Sequence, residues 1–366
     1  MGNPHRIGIV GLGNISAAYL ETLADSTAIR ITAVADLDPA RSAALAATLP
    51  FARACSVAEL VASDDVDTVL NLTIPAAHAE VALAAIAQGK NVYGEKPLAA
   101  EMDDARAIIN AAAAAHVRVG SAPDTVLGTG LQTARAAIDQ GLIGRPLAAS
   151  AVMITAGHER WHPNPDFYYQ PGGGPLLDMG PYYVAALIQL LGPVRSVSGA
   201  SSRLRSERTI TSGERNGQVI PVNVATHVSG VLEHESGALS TITTSFDGTA
   251  TESAPIEVHG DAGSLSVPDP NRFDGDVRLF ATAGDAWHPL EISAGYQDSG
   301  RGVGLLDFVA ATEHRVARAS GDLALHSLDV MTSLLQSAVE GRRIELTTTA
   351  ERPAPVPLTE RKSWLH

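Results

Sequence analysis

The chain has 366 residues, with 40 acidic against 26 basic side chains and a formal charge of −14. That length suits two domains, and the acidic balance argues against a nucleic-acid surface. Cys55 is the single cysteine, which excludes intramolecular disulfides and a Cys-rich metal site, and no stretch approaches the ~18–20 apolar residues of a membrane helix.

Ile7-Gly8-Ile9-Val10 is an apolar run followed at once by Gly11-Leu12-Gly13-Asn14-Ile15-Ser16. A strand, a Gly-x-Gly turn and a helix in that order hold a pyrophosphate: the turn is tight and the helix N-terminus faces the anion. The strand begins so early that a signal peptide has no room, and Arg6 stands where a myristoylation signal wants Ser or Thr, so a cytoplasmic protein is expected. Residues 29–35 read as a second strand ending at Asp36, which stands 25 residues after Gly11. A carboxylate there accepts from adenosine-ribose hydroxyls and repels a 2′-phosphate. NAD is therefore the expected cofactor, with NADP left open by Arg41.

A third apolar run, 66–72, leads into Thr73-Ile74-Pro75 and His78, a strand-end turn placed to line the nicotinamide side of the pocket. Val81, Ala82, Ala85 and Ile86 share one face of the helix that follows. After Asn91-Val92-Tyr93 comes Gly94-Glu95-Lys96-Pro97, which sets a lysine at a strand's carboxyl end, where doubly wound sheets bind ligands. A dinucleotide site with a cation beside it points to hydride transfer. An alanine-rich helix around 99–115 and the strand Val117-Arg118-Val119 complete the alternation. It implies a parallel sheet with right-handed crossovers, in a first domain spanning 1–125.

The rhythm changes beyond about residue 125. A helix through 131–140 stops at Gly141, a strand covers 148–155, and short alternating segments dominate 194–282, with Gly237 and Gly263 in turns. A large, mostly antiparallel sheet is expected in a second domain, 126–366, so the fold class is α/β. Two late helices, 303–318 and 325–340, are expected to pack back on the first domain. Gly157-His158-Glu159-Arg160-Trp161-His162-Pro163-Asn164 offers aromatic faces and imidazoles suited to a polyhydroxylated ring. Its spacing is no zinc signature, so no metal is expected.

These motifs together resemble the Gfo/Idh/MocA family, the group of glucose–fructose oxidoreductase, inositol dehydrogenase and rhizopine-catabolism proteins. The match rests on Gly11-Leu12-Gly13-Asn14-Ile15, Asp36, Thr73-Ile74-Pro75 with His78, Glu95-Lys96-Pro97, and Gly172-Gly173-Gly174-Pro175-Leu176-Leu177-Asp178-Met179-Gly180. The resemblance implies an N-terminal Rossmann domain, a C-terminal α/β domain with a broad open sheet, and pyridine-nucleotide chemistry on a sugar, polyol or related carbonyl compound. It also implies that Lys96 sits by the nicotinamide and that Asp178 serves the substrate. The family's usual histidine falls at Tyr182, where the glucose–fructose oxidoreductase branch also uses tyrosine. The strand ending Ser121-Ala122-Pro123-Asp124 lacks the Asn/Gln-x-Arg pattern of many relatives, so an inositol substrate does not carry over.

The expected catalytic residues are Lys96, Asp178 and Tyr182. Asp178 and Tyr182 lie four apart on one helix face, with a kink expected at Pro181. The expected cofactor residues are Gly11, Leu12, Gly13, Asn14, Ile15, Asp36, Arg41, Thr73, Pro75, His78, Glu95 and Lys96. Asp124, His158, Trp161 and His162 join Lys96, Asp178 and Tyr182 around the substrate, and His158 or His162 rivals Tyr182 as the proton-transfer group. NAD-assisted elimination or glycoside cleavage without net redox change is a second reading. A non-catalytic NAD sensor is a third, opposed by the presence of all three catalytic residues. Helices on only one side of the second sheet predict a homodimer or homotetramer through its open face.

Overall fold

The computed structural model describes residues 3–311 and 316–365. The chain opens as β1 (His5–Val10), α1 (Asn14–Leu23), β2 (Ile29–Ala35), α2 (Pro39–Ala46), β3 (Arg53–Ala54), α3 (Val57–Val61), β4 (Thr68–Asn71), α4 (His78–Ala87), β5 (Asn91–Gly94), α5 (Met102–Ala115) and β6 (Val119–Ser121). The six strands pair in parallel in the order β3-β2-β1-β4-β5-β6. In the middle, Ile9 stands opposite Val34 on β2 and Leu70 on β4, and all three are fully buried. Strands covered on both faces need near-continuous apolar runs, which is how these segments read. The strand order reverses between β1 and β4, and ligands of such sheets bind beyond the carboxyl ends at that point.

Short-range chemistry sets the ends of the helices. Asp38 caps α2 by accepting from the Ala40 amide, and Ser56 and Glu59 form a capping box on α3. His116, at φ 53°, closes α5 in the left-handed conformation.

The chain continues as α6 (Thr129–Asp139), β7 (Pro146–Ile154), α7 (Pro175–Leu191), β8 (Val194–Ser202), β9 (Glu207–Thr209), β10 (Val219–Pro221), β11 (His227–His234), β12 (Leu239–Ser245), β13 (Ile256–Gly260), β14 (Gly263–Val267), β15 (Arg278–Ala281) and β16 (His288–Pro289). It ends with α8 (Val303–Val309), α9 (Gly321–Glu340), β17 (Ile344–Glu345) and α10 (Arg361–Trp364). Nine strands form a mixed sheet, β16-β15-β14-β13-β7-β12-β11-β8-β17, in which β7 and β12 pair in parallel and the other neighbours are antiparallel. β9 and β10 make a separate hairpin.

α6, α7 and α9 cover one face of this sheet. Gly199 and Gly230 are cross-strand partners, and a Cβ on either would meet Leu334 of α9 within 2.6 Å. The paired glycines thus form a notch for that leucine. Gly180 of α7 likewise admits the Met331 sulfur. On the strands Ile242, Val258 and Leu265 point into this layer and are buried, while Val231 and Leu239 stay exposed.

Two compact units emerge: residues 1–128, 294–325 and 356–366 in one, and 129–293 with 326–355 in the other. This corrects the expected division, because 126–366 is not one body. α8 belongs to the first unit, whereas the greater part of α9 belongs to the second. Arg118 donates to the carbonyls of Phe308 and Ala311, and Gly120 bridges to Ser320, so the returning segment is tied to β6. The helix expected at 303–318 stops at Val309, and 312–315 lie outside the described residues. Among the described residues no helix is long and apolar enough to cross a membrane.

Candidate active site

In the first unit, β1 delivers the chain to Gly11 at φ +91°. A Cβ there would lie 2.7 Å from the backbone of Leu72 and Thr73, so the close passage of the β4 end admits only glycine. Gly13 is the N-cap of α1, with extended backbone, no side-chain cap, and nothing within 4 Å of where a Cβ would stand. Gly13 and Asn14 are exposed and Ile15 is half-buried, so the N-terminus of α1 is accessible. An uncapped helix N-terminus with room in front of it fits a pyrophosphate. Ser16 is buried and donates to the Gly13 carbonyl, a bond within the first turn of α1.

Asp36 follows β2 and accepts from the Leu12 amide at 2.7 Å on one oxygen and from the Asp38 amide at 2.9 Å on the other. It therefore fixes the glycine turn and keeps one acceptor position on each oxygen for ribose hydroxyls. Arg41 is exposed, and its Nε lies 3.7 Å from Asp38 Oδ2. Thr73 is held by Asn71, whose Oδ1 accepts from the Thr73 hydroxyl at 2.6 Å. Ile74 and Pro75 beside it are exposed.

His78 departs from the expected lining role. Its ring is buried, with Nδ1 2.7 Å from the Pro97 carbonyl and Nε2 3.0 Å from that of Thr73, and burial lowers its pKa. Glu95 is buried too, accepting from the Tyr19 hydroxyl at 2.9 Å and the Lys96 amide at 3.0 Å. These bonds hold the loop that presents half-buried Lys96, which precedes a cis proline. Asp124 is a correction to the expected substrate set. It is 0 % exposed, and its Oδ2 accepts from the amides of Gly302 and Gly304 at the N-terminus of α8. Burial raises its pKa. The returning segment, invisible as a neighbour in the sequence, takes up this carboxylate.

In the second unit, the loop after β7 places His158 Nε2 2.9 Å from Asp178 Oδ2 on α7. A carboxylate only accepts, so Nε2 carries the hydrogen. Nδ1 is buried with no partner among the described residues. Phe246, Tyr168 and Trp161 surround the ring at 4.5, 4.4 and 5.1 Å between centroids. The His158 amide donates to the Tyr169 hydroxyl, which in turn donates to Glu159. Arg208, its side chain almost wholly buried on β9, joins Glu159 to Asp247. This support was not legible in the sequence, since Arg208 lies in an unremarkable strand far from the loop.

His162 accepts from the Asn164 amide through Nδ1 at 3.1 Å, and burial lowers its pKa. Its ring packs against Trp161, Phe167 and Tyr168. Trp161 itself is exposed. α7 runs unbroken through Pro181 from Pro175 to Leu191, with Asp178 in its first turn. Tyr182 and Tyr183 are both buried, and burial pushes the Tyr183 phenol well up.

Comparison with known proteins identifies the family. Residues 5–122 match the oxidoreductase family's NAD-binding Rossmann fold, and 131–266 match the GFO/IDH/MocA C-terminal domain. A 1,5-anhydro-D-fructose reductase of Ensifer adhaerens is 28% identical over 353 residues, covering 94% of this chain and 99% of that protein. Inositol 2-dehydrogenase 3 of Saccharopolyspora erythraea is 36% identical over 151 residues, 40% of this chain and 44% of that one. A solved levoglucosan dehydrogenase in complex with NADH superimposes with a TM-score of 0.80 at 19% identity, covering 94% of this chain and all of that one. The chain belongs to the Gfo/Idh/MocA family and is an NAD-binding oxidoreductase.

Proposed function

We propose that the enzyme interconverts a sugar, polyol or related alcohol with its keto form, using NAD as redox partner. The observation that carries this reading is on α7, where Asp178 is held by His158 among aromatic rings, one helical turn before Tyr182. Gly11, Gly13 and the N-terminus of α1 would hold the pyrophosphate, Asp36 the adenosine ribose, and Thr73, Pro75 and Lys96 the nicotinamide end. Bound there, the nicotinamide supplies or removes the hydride.

The Lys96 ammonium stabilises negative charge developing on the substrate oxygen. An unperturbed phenol, with a pKa of about 10, is a poor base near neutrality, so this role requires its ionised form to be favoured in the complex. Tyr182 takes the alcohol proton in oxidation and returns it in reduction. Asp178 accepts from an adjacent hydroxyl, its carboxylate plane fixed by the His158 bond. Trp161 and Phe167 expose apolar faces suited to the C–H side of a ring. Asp36 favours NAD over NADP.

Turnover of 1,5-anhydro-D-fructose, myo-inositol and levoglucosan with NAD or NADH, followed by nicotinamide absorbance, tests this. A net change in NADH supports it, whereas product formed without one favours cofactor-assisted elimination. The open face of the nine-stranded sheet, with Val231 and Leu239 exposed, is assigned to a homodimer or homotetramer contact. A monomeric mass by light scattering at micromolar protein would overturn that assignment.

A further inference from the structure

His78 opens α4, yet its imidazole turns inward between two backbone carbonyls and is 2 % exposed. The Thr73 carbonyl, 3.0 Å from Nε2, belongs to the turn that packs against Gly11. The Pro97 carbonyl, 2.7 Å from Nδ1, belongs to the residue after Lys96. Carbonyl oxygens accept and never donate, so a neutral imidazole, with its one N–H, closes only one of these contacts.

The two carbonyls are not equally dependent on the ring. Asn71 anchors the Thr73 turn separately, accepting from the Thr73 amide and hydroxyl and donating to the His78 carbonyl. The contact to Pro97 is also the shorter. Its position matters because Lys96 is half-buried, and its backbone is already held on one side through Glu95 and Tyr19.

We propose that His78 is a positioning residue for Lys96: its Nδ1–H donates to the Pro97 carbonyl and fixes the path of the loop that carries the ammonium. This rests on the assignment of Lys96 to the reacting oxygen. Misplacing a reacting group by about 1 Å can cost about 10²-fold, so the strut is read in kcat while NAD binding is largely spared.

Two side chains separate the two contacts. In His78→Asn the amide nitrogen stands near the place of Nδ1 and keeps the link to Pro97. In His78→Gln it reaches toward the place of Nε2 and keeps only the link to Thr73. His78→Asn should retain most of the turnover on a sugar accepted by the wild type. His78→Gln should lose about tenfold or more in kcat with little change in KM for NAD. Acetic anhydride labelling of Lys96, quantified by peptide mass spectrometry, should change in the Gln variant and not in the Asn variant. Wild-type kcat in His78→Gln, or equal losses in both variants that track thermal stability, overturns the proposal. Ring nitrogen chemical shifts of the wild type decide it without any variant, because a bare Nδ1 overturns it. Full turnover in Lys96→Ala instead overturns the assignment on which the strut rests, and an inactive Lys96→Ala leaves the His78 comparison to stand alone.

Discussion

Replacing Tyr182 by phenylalanine removes one oxygen from a side chain that is 5 % exposed on α7. The ring and its packing remain, so no cavity forms. The stability change is limited to the lost hydroxyl interactions, about 0.5–1.5 kcal/mol. If the phenol transfers the proton, turnover should fall about 10²–10⁴-fold. At about 1.36 kcal/mol per tenfold, that is roughly 2.7–5.4 kcal/mol of barrier. The effect on catalysis therefore exceeds the effect on folding, and the two are measured independently. Thermal melts followed by circular dichroism report the first, and steady-state turnover by nicotinamide absorbance the second. A Tyr182→Phe enzyme with full activity, beside an inactive His158→Asn, would move the acid–base role to the loop and leave Tyr182 as a packing residue of α7.

Gly11→Ala should cost about 1–3 kcal/mol of stability and abolish NAD binding by fluorescence titration, because φ +91° and 2.7 Å approaches to Leu72 and Thr73 leave a Cβ no place. Asp36→Ala should narrow the difference between NAD and NADP dissociation constants, since it removes the ribose acceptor, the charge that repels a 2′-phosphate, and the acceptor of the Leu12 amide; tighter NADP binding by the wild type would refute the assignment. His234 is fully buried between the Gly192 carbonyl and Ser240, and burial lowers its pKa to about 4. A folded-state value below the unfolded one gives stability that is complete above about pH 6.5 and lost on acidification toward pH 4, at about 1.4 kcal/mol per pH unit. Urea unfolding at pH 7 and pH 5 should show this loss, and His234→Gln should flatten it; an unchanged slope in the variant would refute the cause.

What was legible in the sequence was whatever a few adjacent residues decide by themselves. A left-handed turn that only glycine tolerates, a helix N-terminus left open for an anion, and a carboxylate at the end of the next strand are local demands. Gly11, Gly13 and Asp36 therefore carry the proposed nucleotide site in the sequence alone. The spacing of Asp178 and Tyr182 on one helix was legible for the same reason, since helical periodicity is a property of the backbone. The direction in which Asp124 and His78 point was not. Both follow strands of the parallel sheet, where ligand-facing residues are expected, but each is captured by a carbonyl or amide brought close only by the fold: Gly302 and Gly304 for one, Pro97 for the other. The partnership of His158 with Asp178 likewise depends on the course of a loop walled by Tyr168 and Phe246 and braced from β9 by Arg208. The return of 294–325 to the first unit depends on bonds to Arg118 and Asp124. Contacts between segments distant in the chain are set by the whole packing, because a buried polar group takes whichever partner the fold supplies.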